Sequence, residues 1–101
     1  MGLPDSRPRI LGRIGRQAED YLLQCEDAHL ESIFACLDAI AAGEFDKLPI
    51  TQSYLDPDAF SVLTTTGCFV IFDVQDDTEH GDIYNVLLAG ELFPPTDIVD
   101  R

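Results

Sequence analysis

The sequence has few basic residues and no long apolar run. Its 101 residues contain 6 Lys and Arg against 19 Asp and Glu, which gives a formal net charge of −13. Nucleic-acid affinity comes mainly from Lys and Arg, so this charge argues against direct nucleic-acid binding. No apolar stretch approaches the roughly 18 to 20 residues that cross a membrane, so we expect no membrane segment.

Cysteine is also scarce. Cys25, Cys36 and Cys68 are odd in number and widely spaced, which argues against a disulfide framework and favours a reducing compartment. Pro4, Asp5 and two arginines stand where a signal peptide would have its apolar core. The sequence therefore predicts a cytoplasmic protein that is not exported by the usual route.

Motifs that bind cofactors are missing as well. The chain has no Gly-rich phosphate loop and no zinc-ligand spacing, so we expect no cofactor. With 46% hydrophobic and 25% charged residues, the composition is that of a globular protein. Its length predicts one domain over residues 1–101 with a single modest core.

Three runs rich in apolar, β-branched and aromatic residues predict strands. They cover residues 60–64, 68–74 and 83–89. The first two flank the short loop Thr65-Thr66-Gly67, and glycine suits a hairpin position that needs a positive φ. The polar segment 75–82 separates the last two. We therefore predict a three-stranded antiparallel meander over residues 59–92, with residues 68–74 in the middle.

The N-terminal part predicts a helical hairpin over residues 6–43. Ile10, Ile14 and Ala18 recur at helical spacing, although Gly12 and Gly15 weaken this helix. A short extended piece at residues 9–11 is the alternative. The second helix is predicted over residues 28–42, with Asp27 as its cap and Gly43 as its end. An irregular connector, 44–58, then leads to the sheet, and a tail follows over 93–101.

This order predicts an α+β fold in which the two-helix hairpin packs on one face of the sheet. The middle strand is apolar on both faces, so its second face needs another cover. Residues 93–95 of the tail, a protein partner or a second copy of the chain are the alternatives. We predict a binding surface on this second face. Its residues are Leu63, Phe69, Ile71 and Leu87.

Four of the six basic residues lie near the N-terminus. They are Arg7, Arg9, Arg13 and Arg16. A helix dipole prefers acids at this end, so helix stability does not explain the cluster. Ion pairs with the acidic remainder of the chain are the preferred interpretation, and an external anionic ligand is the alternative.

Acidic residues gather in the segment between the last two predicted strands. They are Asp73, Asp76, Asp77, Glu79 and Asp82, with His80 among them. Hard cations bind several carboxylates in one loop, but the spacing does not match an EF-hand because Gly81 comes too late. We interpret the segment as a solvated hairpin loop and predict no metal.

Two Cys–His pairs are candidates for nucleophilic catalysis. Cys25 and His29 are four residues apart on one helical face, but no orienting carboxylate or oxyanion site accompanies them. Cys68 and His80 lie about 20 Å apart if the strands pair as predicted. The sequence therefore assigns no catalytic residue.

The order of helices and strands from about residue 16 to residue 92 resembles the RelE/ParE superfamily of bacterial toxin–antitoxin toxins. The matching segments are FSVL at 60–63, TTTG at 64–67, CFVIF at 68–72, the acidic turn at 76–77 and VLLAG at 86–90. The resemblance implies a related fold and a protein partner of the antitoxin kind. The first strand of that family has no clear counterpart in this sequence.

The departures from the family concern its chemistry. In RelE-like ribonucleases, Arg and Lys on the strands and turns hold the messenger backbone and stabilise charge during cleavage. Here Thr64, Thr65 and Thr66 stand in those turn positions, Phe69 replaces the strand arginine, and Glu91 follows the glycine. The resemblance therefore argues for protein binding and against ribosome-dependent RNA cleavage.

Three functions follow as hypotheses. The preferred one is a diverged toxin–antitoxin-type protein that binds an antitoxin-like partner or forms a homodimer. The alternative is an acidic, non-enzymatic inhibitor from a phage or plasmid that mimics nucleic acid and occupies a basic target protein. An active toxin with an unrecognised site is the third, and growth arrest that depends on His29 or on the acidic loop would support it.

Overall fold

The protein is described here from a computed structural model, which covers residues 3–53 and 56–91. Within these ranges the chain forms five strands, two α-helices and one short 3-10 turn. In chain order they are β1 (Ile10–Ile14), α1 (Arg16–Gln24), α2 (Asp27–Ala42), the 3-10 turn (Phe45–Lys47), β2 (Ile50–Gln52), β3 (Phe60–Leu63), β4 (Cys68–Thr78) and β5 (Gly81–Glu91).

The strands form one mixed sheet in the order β1-β5-β4-β3-β2. The pairs β2–β3, β3–β4 and β4–β5 are antiparallel, whereas β1 runs parallel to β5. The predicted three-stranded antiparallel meander is therefore wrong, because β1 and β2 each add a strand at one edge. β1 pairs with residues more than seventy positions away, which leaves no local periodicity, and β2 has only three residues.

The first predicted helix is wrong at its start for a related reason. Ile10 and Ile14 have helical spacing, yet they belong to β1, and α1 begins only at Arg16. Gly12 and Gly15 permit this arrangement, since a β-carbon at position 12 would lie 2.5 Å from Asn85 Oδ1 and one at position 15 would lie 2.7 Å from the Leu87 carbonyl oxygen. The two glycines that weaken a helix thus let β1 approach β5.

The second helix ends at the predicted residue. Gly43 has a φ of 77°, a left-handed conformation that glycine adopts without the strain of a side chain. Its N–H donates to the carbonyl of Ile40, and a β-carbon at this position would lie 2.6 Å from the backbone of Arg7. The end of α2 is therefore packed against the segment that leads into β1.

Both helices contribute to one apolar core on one face of the sheet. Phe45 stacks on Phe72 with 6.2 Å between the ring centroids, and both rings are fully buried. The other core residues come from the two helices and from the side of the sheet that the helices cover. They are Ala18, Ile33, Cys36, Leu37, Ile40, Val62, Cys68, Val70, Tyr84, Val86 and Ala89. We call this the covered face. The predicted placement of the helical hairpin on one face of the sheet agrees with this arrangement.

A bulge in β5 changes which side chains share a face. Ile71 pairs with Leu88 but Phe72 pairs with Val86, so Leu87 is the extra residue. The expected alternation would place Leu88 beside Val86 on the covered face. The bulge instead moves Leu88 to the same face as Ile71, opposite the helices. The predicted tail, 93–101, lies outside the described residues.

Candidate functional site

The candidate site is the face of the sheet opposite the helices, which we call the open face. Leu63 pairs with Phe69 across β3 and β4, and Ile71 pairs with Leu88 across β4 and β5. Side chains that are directly opposite in neighbouring strands lie on the same face. The structure thus brings together three of the four predicted site residues, together with Leu88, as one patch. This open-face patch consists of Leu63, Phe69, Ile71 and Leu88.

The members of the patch differ in exposure. Leu63 is 42% exposed and Phe69 is half-buried, whereas Ile71 is only 7% exposed although it lies outside the core cluster. The Phe69 ring lies against Gly90, because a β-carbon there would be 3.2 Å from the ring. Phe69 thus extends across β5 as a broad apolar surface, which suits contact with an apolar partner.

Leu87, the fourth predicted site residue, lies at the bulge where the patch meets a polar depression. This depression has a volume of about 370 Å³. It is lined by Gly12, Arg13, Asp73, Gln75, Ile83, Asn85 and Leu87. Asn85 is 6% exposed, and its Nδ2 donates to Asp73 Oδ1 at 2.9 Å. The open face therefore has an apolar half and a polar half.

Sequence reasoning missed Leu88 and Arg13 as open-face residues. The bulge reverses the direction in which the Leu88 side chain points. Arg13 reaches this face only because β1 pairs with β5, which aligns Arg13 with Asn85. An arginine beside two glycines carried no local signal of a strand. The position of Arg13 thus depends on a contact between residues more than seventy positions apart.

The predicted acidic residues do not form one site. Asp73 lies in the polar depression, Asp76 pairs with Arg9, and Asp82 pairs with Arg7 at 3.5 Å. No three His, Cys, Asp or Glu side chains in residues 3–53 and 56–91 are grouped so that they could hold a metal ion. The segment that looks like one acidic loop is thus divided among several contacts.

The strongest of these contacts joins Arg9 to Asp76. Arg9 Nε donates to Asp76 Oδ1 at 2.8 Å and its second terminal nitrogen donates to Oδ2 at 2.9 Å, a bidentate pair. The Arg9 side chain is fully buried and its guanidinium lies 5.6 Å from the centroid of Phe45. The hydrogen bonds from Arg9 lower the pKa of Asp76.

The four N-terminal arginines fall into two classes. Arg7 pairs with Asp5 and Asp82, and Arg9 pairs with Asp76. Attraction to Asp82 raises the pKa of Arg7. Arg13 and Arg16 form no ion pair or side-chain hydrogen bond with any residue that the structure describes. The expected pairing with the acidic remainder therefore holds for two arginines and fails for two.

A cluster of hydroxyl groups ties the β3–β4 loop to α2. Thr66 Oγ1 lies 2.9 Å from His29 Nδ1 and 2.7 Å from Ser32 Oγ. Thr64, which is buried, accepts a hydrogen bond from the Cys68 backbone N–H at 3.0 Å. These contacts give Thr64 and Thr66 a loop-anchoring role.

Neither candidate Cys–His pair is joined by a hydrogen bond, and Cys25 and His29 do not share one helix as predicted, because α1 ends at Gln24 and α2 begins at Asp27. His29 contacts Thr66, while the Cys25 thiol donates to the carbonyl of Leu22. Burial raises the pKa of the Cys25 and Cys36 thiols, which disfavours the reactive thiolate. Cys68 begins β4, and His80 lies in the turn at the far end of the same hairpin.

The three cysteines are free thiols. Within the described residues, no helix combines the length and the apolar character that a membrane crossing requires. No protein-family model, curated protein or solved structure matches this chain.

Proposed function

We propose that this protein is a diverged RelE/ParE-like toxin–antitoxin-type protein that acts in the bacterial cytoplasm by binding another protein. Its binding surface is the open-face patch with the adjoining Leu87. The observation that carries the proposal is the unequal cover of the sheet. Within the described residues, α1 and α2 both pack on the covered face, and Leu63 on the opposite face is 42% exposed. An apolar patch beside polar side chains is typical of a protein interaction site.

The side chains at the family's catalytic positions support binding over RNA cleavage. Thr64 is buried in the loop-anchoring cluster, Phe69 lies over Gly90, and Glu91 accepts a hydrogen bond from the Tyr21 hydroxyl at 3.5 Å. None of the three carries a positive charge that would stabilise a phosphate undergoing cleavage.

The additional strands bear on the resemblance itself. β1 precedes the two helices and pairs with the last strand of the sheet. In this proposal β1 corresponds to the first strand of the RelE/ParE superfamily, for which the sequence pattern has no clear equivalent. The free thiols of Cys25, Cys36 and Cys68 are consistent with a reducing cytoplasm.

Affinity capture from an extract of the native host tests the proposal. Phe69→Lys places a charge in the centre of the patch and should reduce the amount of captured partner at least about tenfold, because burying that charge is costly. Leu23→Lys is the matched control, since Leu23 is 79% exposed on α1. Equal capture by both variants would remove the open face from the proposal.

An acidic inhibitor remains the second candidate because the basic cluster is partly neutralised. Arg7 and Arg9 form ion pairs with aspartates. Their positive charge therefore does little to weaken the attraction between a chain of net charge −13 and a basic target. Capture at salt from about 0.05 to about 1 M separates the candidates. A basic target held by charge is lost steeply as salt rises, whereas a partner on the apolar patch is retained.

A further inference from the structure

β1 forms an outer edge of the sheet. It pairs only with β5, and within the described residues its other side has no backbone partner. Farther along β5, the edge that β1 does not reach is covered by the side chain of Gln17. Its Nε2 donates to the Ala89 carbonyl at 2.7 Å, and its Oε1 accepts from the Ala89 N–H at 2.9 Å. Natural sheets usually protect such an edge because it can pair with another chain. Here the side-chain amide protects β5 and leaves β1 open.

The side chains of β1 are unusually apolar for an exposed strand. Ile10 is 61% exposed and Leu11 is 41% exposed. Ile10 aligns with Ile83 on the open face, and Leu11 aligns with Tyr84 on the covered face. A sixth strand with apolar side chains would therefore cover apolar surface on both faces of the sheet.

The free positive charge of the described chain lies at this edge. Lys47 pairs with Glu44, and Arg7 and Arg9 pair with aspartates. Arg13 and Arg16 are thus the two described basic residues without an acidic partner. Both are exposed, Arg13 within β1 and Arg16 at the start of α1. Their charge complements an acidic segment.

We propose that the β1 edge binds an extended segment of the partner protein as a sixth strand, with an acidic side chain beside Arg13 and apolar side chains beside Ile10 and Leu11. This inference rests on the proposed protein-binding function, because the same partner would also cover the open face. Strand addition supplies affinity through the backbone, and the acid supplies specificity.

A second copy of the chain fits the edge less well. Antiparallel pairing of two β1 strands about Gly12 would bring the two Arg13 side chains within two positions of one another. Each copy also has a net charge of −13, so the copies repel one another as a whole. A partner segment with an acid at the correct position has no such conflict at the edge.

A labelled synthetic peptide tests the edge directly. The probe is an extended peptide with apolar side chains on both of its faces and one central Glu, and its binding is followed by fluorescence anisotropy. Arg13→Glu should weaken binding at least about tenfold, whereas Arg13→Lys should retain most of it. Lys47→Glu is the matched control for the change in charge, because Lys47 lies on the 3-10 turn. Equal binding by the Arg13→Glu variant and the wild type overturns the proposal.

N-methylation of the probe tests the backbone contact. A strand pairs through every second residue on one of its sides. Methyl groups on one set of alternate amides should abolish binding, and methyl groups on the other set should leave it unchanged. If both methylated probes bind as well as the parent peptide, the segment does not add to the sheet.

The variants also separate this inference from the proposed function. If Phe69→Lys loses the captured partner while Arg13→Glu retains it and the peptide fails to bind, the open-face function stands and the edge inference is overturned. If the peptide binds with the expected Arg13 dependence but no partner is captured through the open face, the edge inference stands and the open-face function is overturned. If the protein forms a dimer and Ile10→Lys dissociates it, the edge binds a second copy and the proposal is overturned. If the peptide binds only after residues 92–101 are removed, the edge has another occupant and the proposal is again overturned.

Discussion

The two faces of the sheet are built from similar residues but serve different purposes. In β4, Val70 and Phe72 point to the helices and are fully buried. On the opposite face, Ile71 is 7% exposed and Phe69 is half-buried. Apolar alternation on both sides of one strand therefore forms a core on one side and a candidate binding surface on the other. The difference lies in the cover that the helices provide and not in the composition of the strand.

The charges follow the same division. Arg9 is buried against Phe45 on the covered face and is neutralised by Asp76. Arg13 faces the polar depression on the open face and has no acidic partner among the described residues. A buried arginine requires a partner for stability, whereas an exposed one is available for binding. Variants on the covered face should therefore change the free energy of unfolding, and variants on the open face should change the binding of a partner.

Phe72→Ala should produce the largest loss of stability. Phe72 is fully buried and contacts the rings of Phe45 and Phe60, with centroid distances of 6.2 and 5.7 Å. Removing a buried phenylalanine side chain costs about 3 to 5 kcal/mol in the free energy of unfolding. Urea denaturation followed by circular dichroism measures it. A loss under about 1 kcal/mol would mean that the covered face is not the core.

Asp76→Asn should produce the next largest loss of stability. The substitution leaves the guanidinium of Arg9 buried without a counter-charge, which costs about 3 kcal/mol. Asp77→Asn is the matched control on the same strand, because Asp77 is exposed and has a φ of 63°, which asparagine tolerates. Equal unfolding midpoints in urea for the two variants would contradict the assigned role of the Arg9 ion pair.

The same pair predicts a pH dependence. Because Arg9 lowers the pKa of Asp76 below its unfolded value, the pair stabilises the fold above pH of about 4 and this contribution is lost as the pH falls through the folded pKa. The stability difference between the wild type and Asp76→Asn should therefore shrink between about pH 5 and pH 2. Urea unfolding at each pH measures this difference, and a constant difference would refute the assignment.

Leu63→Ser should produce the smallest effect on stability, and its neighbour provides the comparison. Val62 is fully buried on the covered face, whereas Leu63 is 42% exposed on the open face. Val62→Ser should cost about 2 to 4 kcal/mol, because it leaves a cavity and buries a hydroxyl, and Leu63→Ser should cost less than about 1 kcal/mol. Thermal unfolding of the two variants checks this, and similar losses would mean that both faces are covered.

Part of the fold could be predicted from local patterns. The β-branched and aromatic runs indicated β3, β4 and β5, and Gly67 has the positive φ, 86°, that its hairpin position suggested. The preferred helix was wrong over β1 because Ile10 and Ile14 have the spacing of a helix, and the alternative of an extended piece at residues 9–11 overlaps this strand. β2 was missed because three residues in a connector carry too little pattern to identify a strand.

The candidate site shows the same limit. Leu63, Phe69 and Ile71 were predictable because strict alternation assigns them to one face of β3 and β4. Leu88 was not, because the bulge at Leu87 reverses its direction. Which acids pair with which arginines was equally hidden, since Arg9 and Asp76 are 67 positions apart in the chain.

The sequence by itself determined the net charge of −13 and the apolar character of both faces of β4. These properties depend on residue type and on a period of two, which any strand obeys. Only the tertiary structure decided that β1 lies parallel to β5, that Arg9 is neutralised and that Arg13 has no acidic partner among residues 3–53 and 56–91. The reason is physical, because contacts between distant residues arise from packing and leave no periodic trace in the chain.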